Sequence, residues 1–236
     1  MIWMAGKGNK EGFFTKVKSE FSEGTEKVFI SFKKGYDGIA PNTVLLLKYT
    51  VLTLIVAFLY AGALVLFPDF SAFSYSVFLP ISILIILFYH ELLNVQVRDF
   101  YRVIYDSLVL AFFFLVVYFL FSYSAAGQSA GSGPGVVAIA ASTVAMFIFV
   151  VMLFSPVYMV KAGATPLNAL KNAFRFISRN AIKGMFYIIV LLLVLSSVTA
   201  LLSAIGLVFV SPIAFVFLSY CMFIFVNAFW DCCRND

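Results

Sequence analysis

The chain has 236 residues, of which 63% are hydrophobic and 11% are charged, and its formal net charge is +5 at pH 7. A water-soluble fold needs more polar side chains than this to cover its surface, so the composition excludes an ordinary soluble domain. It predicts an all-α polytopic membrane protein with six transmembrane helices and two basic amphipathic interfacial helices.

Residues 1–42 form the first predicted segment, which we expect to be cytoplasmic and to contain an amphipathic helix from Phe13 to Lys34. Apolar residues recur in it at helical spacings, as Phe14, Val17, Phe21, Val28 and Phe32. Basic residues lie between them, as Lys16, Lys18, Lys27, Lys33 and Lys34. This pattern predicts a helix on the membrane surface that contacts anionic phospholipid headgroups. Gly35, Gly38 and Pro41 predict its end.

The first three predicted spans are 43–67, 77–93 and 103–123, each close to the length that the hydrocarbon layer requires. A polar stretch that contains His90 and Glu91 separates the second span from the third. The segment from Ser122 to Gly135 is rich in Gly, Ser and Pro, which predicts an irregular loop outside the hydrocarbon.

The last three predicted spans are 136–160, 185–210 and 213–230, and residues 231–236 form a cytoplasmic tail. Pro156 predicts a kink or an end in the fourth span. Thr165 and Pro166 predict a helix start, because Thr can cap exposed amides and Pro fits the first helical position. We expect this helix, residues 166–179, to lie in the plane of the inner leaflet. Its predicted apolar side contains Leu167, Leu170, Phe174 and Ile177, and its basic side contains Lys171, Arg175 and Arg179.

The basic residues are distributed unevenly over this topology. All 16 Lys and Arg fall on one side of the six predicted spans. Basic residues near span ends are retained in the cytoplasm, so we expect a multi-pass protein of the cell membrane with both termini cytoplasmic. The expected partners are anionic phospholipid headgroups and a cytoplasmic or membrane protein. Nucleic acid is not an expected partner, because the apolar side of the N-terminal helix needs burial.

Two short motifs were weighed as catalytic or metal sites and rejected. Gly127 to Gly131 matches the pattern of a hydrolase nucleophile, but it lies in a predicted loop, with His90 near the opposite membrane face as the only histidine. His90 and Glu91 resemble the start of a zinc-protease helix, but position 94 is Asn94, so the second histidine ligand is missing. We therefore predict no cofactor and no enzymatic activity.

His90, Glu91 and Asp106 allow two interpretations. Ionisable groups inside a membrane are costly and often functional, so the three residues could form a polar relay. They also lie near the cytoplasmic end of their spans, where hydration or a Glu91–Arg102 pair would satisfy them. The first interpretation leads to a transporter of a small solute or lipid. The second leads to the function that we expect, a non-catalytic membrane scaffold or accessory protein that binds anionic lipid or a cytoplasmic partner.

Small residues four apart predict two close helix contacts, either within the bundle or between copies of the chain. One set lies in the fourth span, at Ala138, Ala141, Ser142 and Ala145. The other lies in the fifth span, at Ser196, Ala200 and Ala204.

Residues 155–183 contain a span that ends near a proline, a short link and an amphipathic helix with an Ala-Leu-basic pattern. The residues that carry this pattern are Pro156, Thr165, Pro166, Ala169, Leu170, Lys171 and Phe174. The segment resembles the membrane domain found beside some glycerophosphodiester phosphodiesterases and related prokaryotic multi-pass families. The resemblance implies a multi-pass membrane fold. It brings no catalytic residues and covers no phosphodiesterase domain.

Overall fold

A computed structural model describes residues 25–66, 75–97, 99–129, 136–207 and 210–234, with the backbone alone for residues 124–129. The helices in this part of the chain are α1 (residues 25–39), α2 (Thr43–Leu66), α3 (Phe78–Leu92), α4 (Phe100–Ser129), α5 (Val136–Lys161), α6 (Pro166–Arg179), α7 (Ala181–Ala204) and α8 (Val210–Cys233). Six helical segments of it are long and apolar enough to cross a membrane. The predicted fold class is confirmed: the chain is an all-α, multi-pass integral membrane protein.

Four of the predicted spans need different bounds. α4 continues to Ser129, so the loop predicted from Ser122 is wrong over residues 122–129. Helix satisfies backbone hydrogen bonds internally, which favours its continuation beyond the last apolar side chain. α5 passes through Pro156 and ends at Lys161, so the proline does not end the span. α7 covers Ala181–Ala204 instead of 185–210, and α8 covers Val210–Cys233 instead of 213–230.

The end of α7 is set by Gly206. This residue has a φ of 83°, in the left-handed region that glycine adopts without steric cost. The amide of Gly206 donates to the carbonyl of Ser203, and the amide of Leu207 donates to the carbonyl of Leu202. These two bonds satisfy carbonyls that would otherwise be left open at a helix end. The chain therefore turns at Gly206, just after the end of α7.

The break predicted at Gly35, Gly38 and Pro41 is wrong at Gly35, and the α-helical pattern is interrupted only near Pro41. α1 continues through Gly35 to residue 39, and a 3-10 turn at Ala40–Asn42 then leads directly into α2. Gly35 is buried, and a Cβ atom there would overlap the ring of Phe225 in α8. The glycine thus serves a close helix contact instead of a turn.

Three polar contacts show which helix ends lie together. Lys48 near the start of α2 pairs with Glu91 at the end of α3, and Lys161 at the end of α5 pairs with Asp231 at the end of α8. Arg102 at the start of α4 donates to the link between α5 and α6. We call this side of the bundle the basic end, because the Lys and Arg residues of the described part belong to the segments that meet there.

The core lies around α8, which packs against α2, α5 and α7. Its residues from Tyr220 to Ile224 are all buried. Near the middle of the bundle the hydroxyl groups of Thr53 and Tyr220 share a hydrogen bond of 2.7 Å. Towards the basic end the rings of Tyr187 and Phe229 stack at 4.7 Å between centroids. These contacts fix α2 and α7 on neighbouring sides of α8.

Candidate functional site

Helix α1 is attached to the bundle along one side. The buried residues of that side follow one another at spacings of three and four, as Val28, Ser31 and Gly35. Phe32, next to them, packs against the rings of Tyr187 and Phe225, with centroid distances of 4.4 and 6.0 Å. α1 is therefore held against α7 and α8 by protein contacts.

The opposite side of α1 carries two exposed aromatic residues. Phe29 is 71% exposed and Tyr36 is 73% exposed, and the exposed Lys33 lies between them. Residues at positions i, i+4 and i+7 share one face of a helix. We call this set, Phe29, Lys33 and Tyr36, the α1 stripe.

Helix α6 is attached in the same way, by a side that includes two of the four residues of its predicted apolar side, the buried Ile177 and the half-buried Leu170. Its buried residues are Pro166, Ala169, Ala173, Phe176 and Ile177. The other two residues of the predicted apolar side, Leu167 and Phe174, are 66% and 50% exposed. The close approach of α5 selects alanine for the contact, because larger side chains would hold the two helices apart.

Aromatic contacts show that α6 packs back along α5. Phe176 lies 5.4 Å from Phe154, and Phe174 lies 5.6 Å from Phe147, between ring centroids. Phe154 and Phe147 precede the end of α5 by seven and fourteen residues, roughly 10 and 21 Å along the helix at 1.5 Å per residue. Both the buried Phe176 and the half-exposed Phe174 of α6 thus contact α5. The orientation of α6 to the membrane plane stays a prediction.

The exposed side of α6 repeats the order of residues found on α1. Leu167, Lys171 and Phe174 stand at positions i, i+4 and i+7, and we call them the α6 stripe. Each stripe places one lysine between two exposed apolar side chains. Both lysines were predicted from the sequence as lipid contacts, whereas Phe29 and Tyr36 were not predicted as their neighbours. The repeated spacing of apolar, lysine and aromatic residues is the signal that could have found them.

The other predicted lipid-contact residues lie around the stripes. Lys34, Arg175 and Arg179 are exposed, and Lys27 is half-buried. Within the described part of the chain, five of these cations form no salt bridge, namely Lys33, Lys34, Lys171, Arg175 and Arg179. Lys16 and Lys18 lie outside the described residues. The basic end therefore presents several positive charges that no acidic side chain of the described part neutralises.

Glu91 is paired, but with a different residue from the one expected. Its Oε1 atom lies 2.5 Å from Nζ of Lys48, and it accepts a hydrogen bond of 2.9 Å from the hydroxyl of Tyr49. The predicted Glu91–Arg102 pair is therefore wrong. The start of α2 lies beside the end of α3, so Lys48 is close enough to Glu91 to pair with it. Both partners are half-exposed, so the pair belongs to the surface of the basic end.

Asp106 lies deeper than the other two members of the predicted relay. Its side chain is 5% exposed, and Nε of Arg102 lies 3.8 Å from its Oδ2 atom. Nδ1 of His90 lies 3.0 Å from the carbonyl oxygen of Val95. The nearest polar partners of the three predicted relay residues are therefore different: Val95 for His90, Lys48 and Tyr49 for Glu91, and Arg102 for Asp106.

A cavity of about 510 Å³ lies towards the end opposite the basic end, between α2, α7 and α8. Its walls include Ala57, Ser196, Ala200 and Phe215, and none of His90, Glu91 and Asp106. The small residues of the fifth span, Ser196, Ala200 and Ala204, are exposed, so their predicted contact within the bundle is wrong, and a contact between copies of the chain stays a prediction. In the fourth span Ala138 and Ala145 are buried. α7 therefore presents its small side to this cavity.

No group of three or more His, Cys, Asp or Glu residues in the described part of the chain is placed to hold a metal ion. Comparison with protein-family models, with curated proteins and with solved structures finds no match to this chain. The resemblance of residues 155–183 to the membrane domain beside glycerophosphodiester phosphodiesterases therefore stays a prediction.

Proposed function

We propose that this integral membrane protein is a non-catalytic scaffold or accessory protein whose basic end binds anionic phospholipid headgroups. The observation that carries the proposal is the pair of stripes on α1 and α6. Each is fixed to the bundle by its buried side, and each presents a lysine between two exposed apolar side chains.

Such a stripe has the chemistry of a membrane interface. Exposed aromatic and aliphatic side chains gain by entering the boundary between headgroups and acyl chains. A lysine between them can extend its apolar stem along the same surface and place its ammonium group at a phosphate. Each basic residue near an anionic surface contributes about 1 kcal/mol of attraction. Lys34 and Arg175, adjacent to the stripes, add to the same field.

The same proposal orients the protein. Because the Lys and Arg residues meet at one end, that end faces the cytoplasm of the cell membrane, with both chain termini on that side. The anionic leaflet then lies where the stripes can reach it. A cytoplasmic partner protein would share this surface, and the fixed position of α1 and α6 would hold it beside the bilayer.

The experiment uses the full-length protein in detergent with equal amounts of phosphatidylglycerol and phosphatidylcholine. Native mass spectrometry counts the bound lipids of each kind. We expect the native protein to retain phosphatidylglycerol preferentially. The four-residue variant carries Lys33→Gln, Lys34→Gln, Lys171→Gln and Arg175→Gln. Its ratio of bound phosphatidylglycerol to bound phosphatidylcholine should be at least about tenfold lower than that of the native protein, because four positive charges that attract the anionic lipid are removed.

The control keeps the charge and changes the side chain, as Lys33→Arg, Lys34→Arg and Lys171→Arg. It should retain the preference of the native protein. An equal preference in the native protein and the four-residue variant would overturn lipid binding by these helices.

The alternative function, transport of a small solute or lipid along a path near His90, Glu91 and Asp106, is supported by one observation. Asp106 carries a buried carboxyl group inside a membrane-spanning helix. A flux assay on the reconstituted protein, with His90→Ala and Asp106→Asn, separates transport from the scaffold function.

A further inference from the structure

The last turns of α8 carry two buried polar atoms that the fold does not satisfy. Nε1 of Trp230 and Oδ1 of Asn227 are buried and form no hydrogen bond with any described residue. The two residues are three positions apart, so they lie on one face of the helix. Buried polar atoms are almost always hydrogen-bonded, so two exceptions on one face require an explanation.

Two cations converge on the ring of Trp230. Nζ of Lys161, the last residue of α5, lies 4.6 Å from the ring centre, and Cζ of Arg234, which follows the end of α8, lies 4.8 Å from it. Trp230 itself is 1% exposed, and the ring of Tyr158 packs against it in a T-shaped arrangement at 5.6 Å between centroids. Each cation is attracted to the aromatic ring, but two like charges on one ring repel each other.

One of these two charges lacks an acidic partner. Lys161 pairs with Asp231 at 2.6 Å, whereas the exposed Arg234 forms no salt bridge with the described residues. The carboxylate of Asp231 is balanced by Lys161, and it is 41% exposed, so solvent screens its repulsion of another anion. The cluster therefore keeps an uncompensated positive charge at Arg234.

The free groups of this cluster are mainly hydrogen-bond donors. The guanidinium group of Arg234, the ammonium group of Lys161 and the indole N–H of Trp230 donate and do not accept. The side-chain amide of Asn227 can present either its oxygen or its NH₂ group. Donors around a positive charge fit an anion with several acceptor oxygens, and arginine binds phosphate through charge-assisted hydrogen bonds.

The position of the cluster suits a phosphate group at the membrane interface. Trp230 lies three residues before the end of α8, roughly 4.5 Å along the helix. The ends of membrane-spanning helices lie near the headgroup layer, where tryptophan side chains are enriched. A phospholipid phosphate is therefore within reach of Lys161 and Arg234.

We propose that Lys161, Trp230 and Arg234 form a binding site for a phosphate group, carried by an anionic phospholipid or present as free phosphate. The phosphate oxygens accept hydrogen bonds from Arg234 and Lys161, and the indole N–H of Trp230 is the remaining donor of the cluster. The bound anion offsets the repulsion between the two cations. This site uses none of the stripe residues, so it stands or falls separately from the lipid binding proposed above.

The test uses the fluorescence emission of Trp230. The chain contains two tryptophans, so the full-length protein with Trp3→Phe reports on Trp230 alone. In detergent this protein is titrated with phosphatidylglycerol, with phosphatidylcholine and, at constant ionic strength, with inorganic phosphate. We expect a saturable change in emission with phosphatidylglycerol, because binding changes the charges beside the indole ring. Phosphatidylcholine should cause no such change, because its choline group neutralises the phosphate.

The response to inorganic phosphate distinguishes the two sources of the phosphate group. No change with inorganic phosphate would support a phospholipid headgroup as the ligand. A saturable change with inorganic phosphate would support the site with free phosphate as a ligand. No change with either phosphatidylglycerol or inorganic phosphate, or an equal change with phosphatidylcholine, would overturn the site.

Arg234→Gln in the same Trp3→Phe protein tests the residues of the site. Arg234 is exposed beyond the end of α8, so its replacement leaves the core intact. The half-saturating concentration of phosphatidylglycerol, or of inorganic phosphate if that is the ligand, should rise at least about tenfold, because a charge-assisted hydrogen bond is lost. An unchanged concentration would overturn the site.

Two further variants separate this site from the general charge of the basic end. Lys48→Gln is the matched control, because it removes one positive charge from the basic end at the pair with Glu91, and it should change the half-saturating concentration by less than about twofold. The four-residue variant of the stripes retains every residue of this site and should keep the response of Trp230. Loss of that response in the four-residue variant would show that the stripes, and not this cluster, hold the lipid.

Discussion

The two ends of the bundle differ in how tightly their side chains are packed. At the basic end, rings of Tyr187 and Phe229 stack at 4.7 Å, and Lys161 pairs with Asp231 at 2.6 Å. At the opposite end, α7 and α8 are linked by a hydrogen bond of 3.0 Å between Ser203 and Ser211, beside the cavity of about 510 Å³. The difference indicates that the fold is held mainly at the basic end, where α1 and α6 are attached.

The largest expected difference between the ends concerns their aromatic side chains. Phe229 is fully buried among Tyr187, Phe154 and Phe176, whereas Phe215 is half-exposed at the cavity. We expect Phe229→Ala to lower the free energy of unfolding by about 3–5 kcal/mol, because it leaves a void in a packed core. Phe215→Ala should lower it by less than about 1 kcal/mol. Unfolding in mixed detergent and SDS micelles measures both, and equal losses would remove the distinction between the ends.

A smaller effect is expected from two glycines of the same long helical segment. A Cβ atom at Gly35 would overlap the ring of Phe225, whereas a Cβ atom at Gly62 would meet no atom within 4 Å. Gly35→Ala should therefore destabilise the protein by about 1–3 kcal/mol, through displacement of α1 from α8. Gly62→Ala should be neutral or stabilising by up to about 1 kcal/mol, since alanine favours helix. The same unfolding assay compares them, and a stabilising Gly35→Ala would show that α1 is not tightly docked.

The smallest expected effect concerns the polar links at each end. Lys161 pairs with Asp231 and lies 4.6 Å from the ring centre of Trp230. Lys161→Gln should cost about 1 kcal/mol at low salt, because it removes a partly exposed ion pair and a cation–π contact. Ser203→Ala at the opposite end should change stability by less than about 0.5 kcal/mol. Thermal unfolding at low and high salt is the measurement. A Lys161→Gln loss that does not shrink in high salt would contradict an electrostatic origin.

Much of the fold could be predicted because membrane spans leave strong local signals. The start of α2 at Thr43 and both ends of α6 agree with the bounds predicted from the sequence. Long apolar runs and the Thr-Pro start of α6 are signals that depend only on residues adjacent in the sequence. The side chain of Thr165, however, makes no capping hydrogen bond, so the start of α6 depends on the backbone and on Pro166.

The contacts between helices could not be predicted from local patterns. Glycine is typical of turns, and only the position of Phe225 shows that Gly35 serves a close helix contact instead. Glu91 has several basic residues within reach along the sequence, and the choice of Lys48 follows from the arrangement of α2 beside α3. Alanine, serine and glycine allow one side of α1 and of α6 to approach the bundle closely. The opposite side of each helix is therefore the exposed one.

The docking of α1 has a consequence for biogenesis. Gly35 meets Phe225, a residue 190 positions later in the chain. At a synthesis rate of about 5–20 residues per second, the ribosome needs roughly 10–40 s to produce this partner. During that interval α1 lacks its contact with α8, so assembly of this part of the basic end has to wait until α8 has been made. A transient holding partner, such as a lipid surface or a chaperone, would cover the docking side of α1 during this interval.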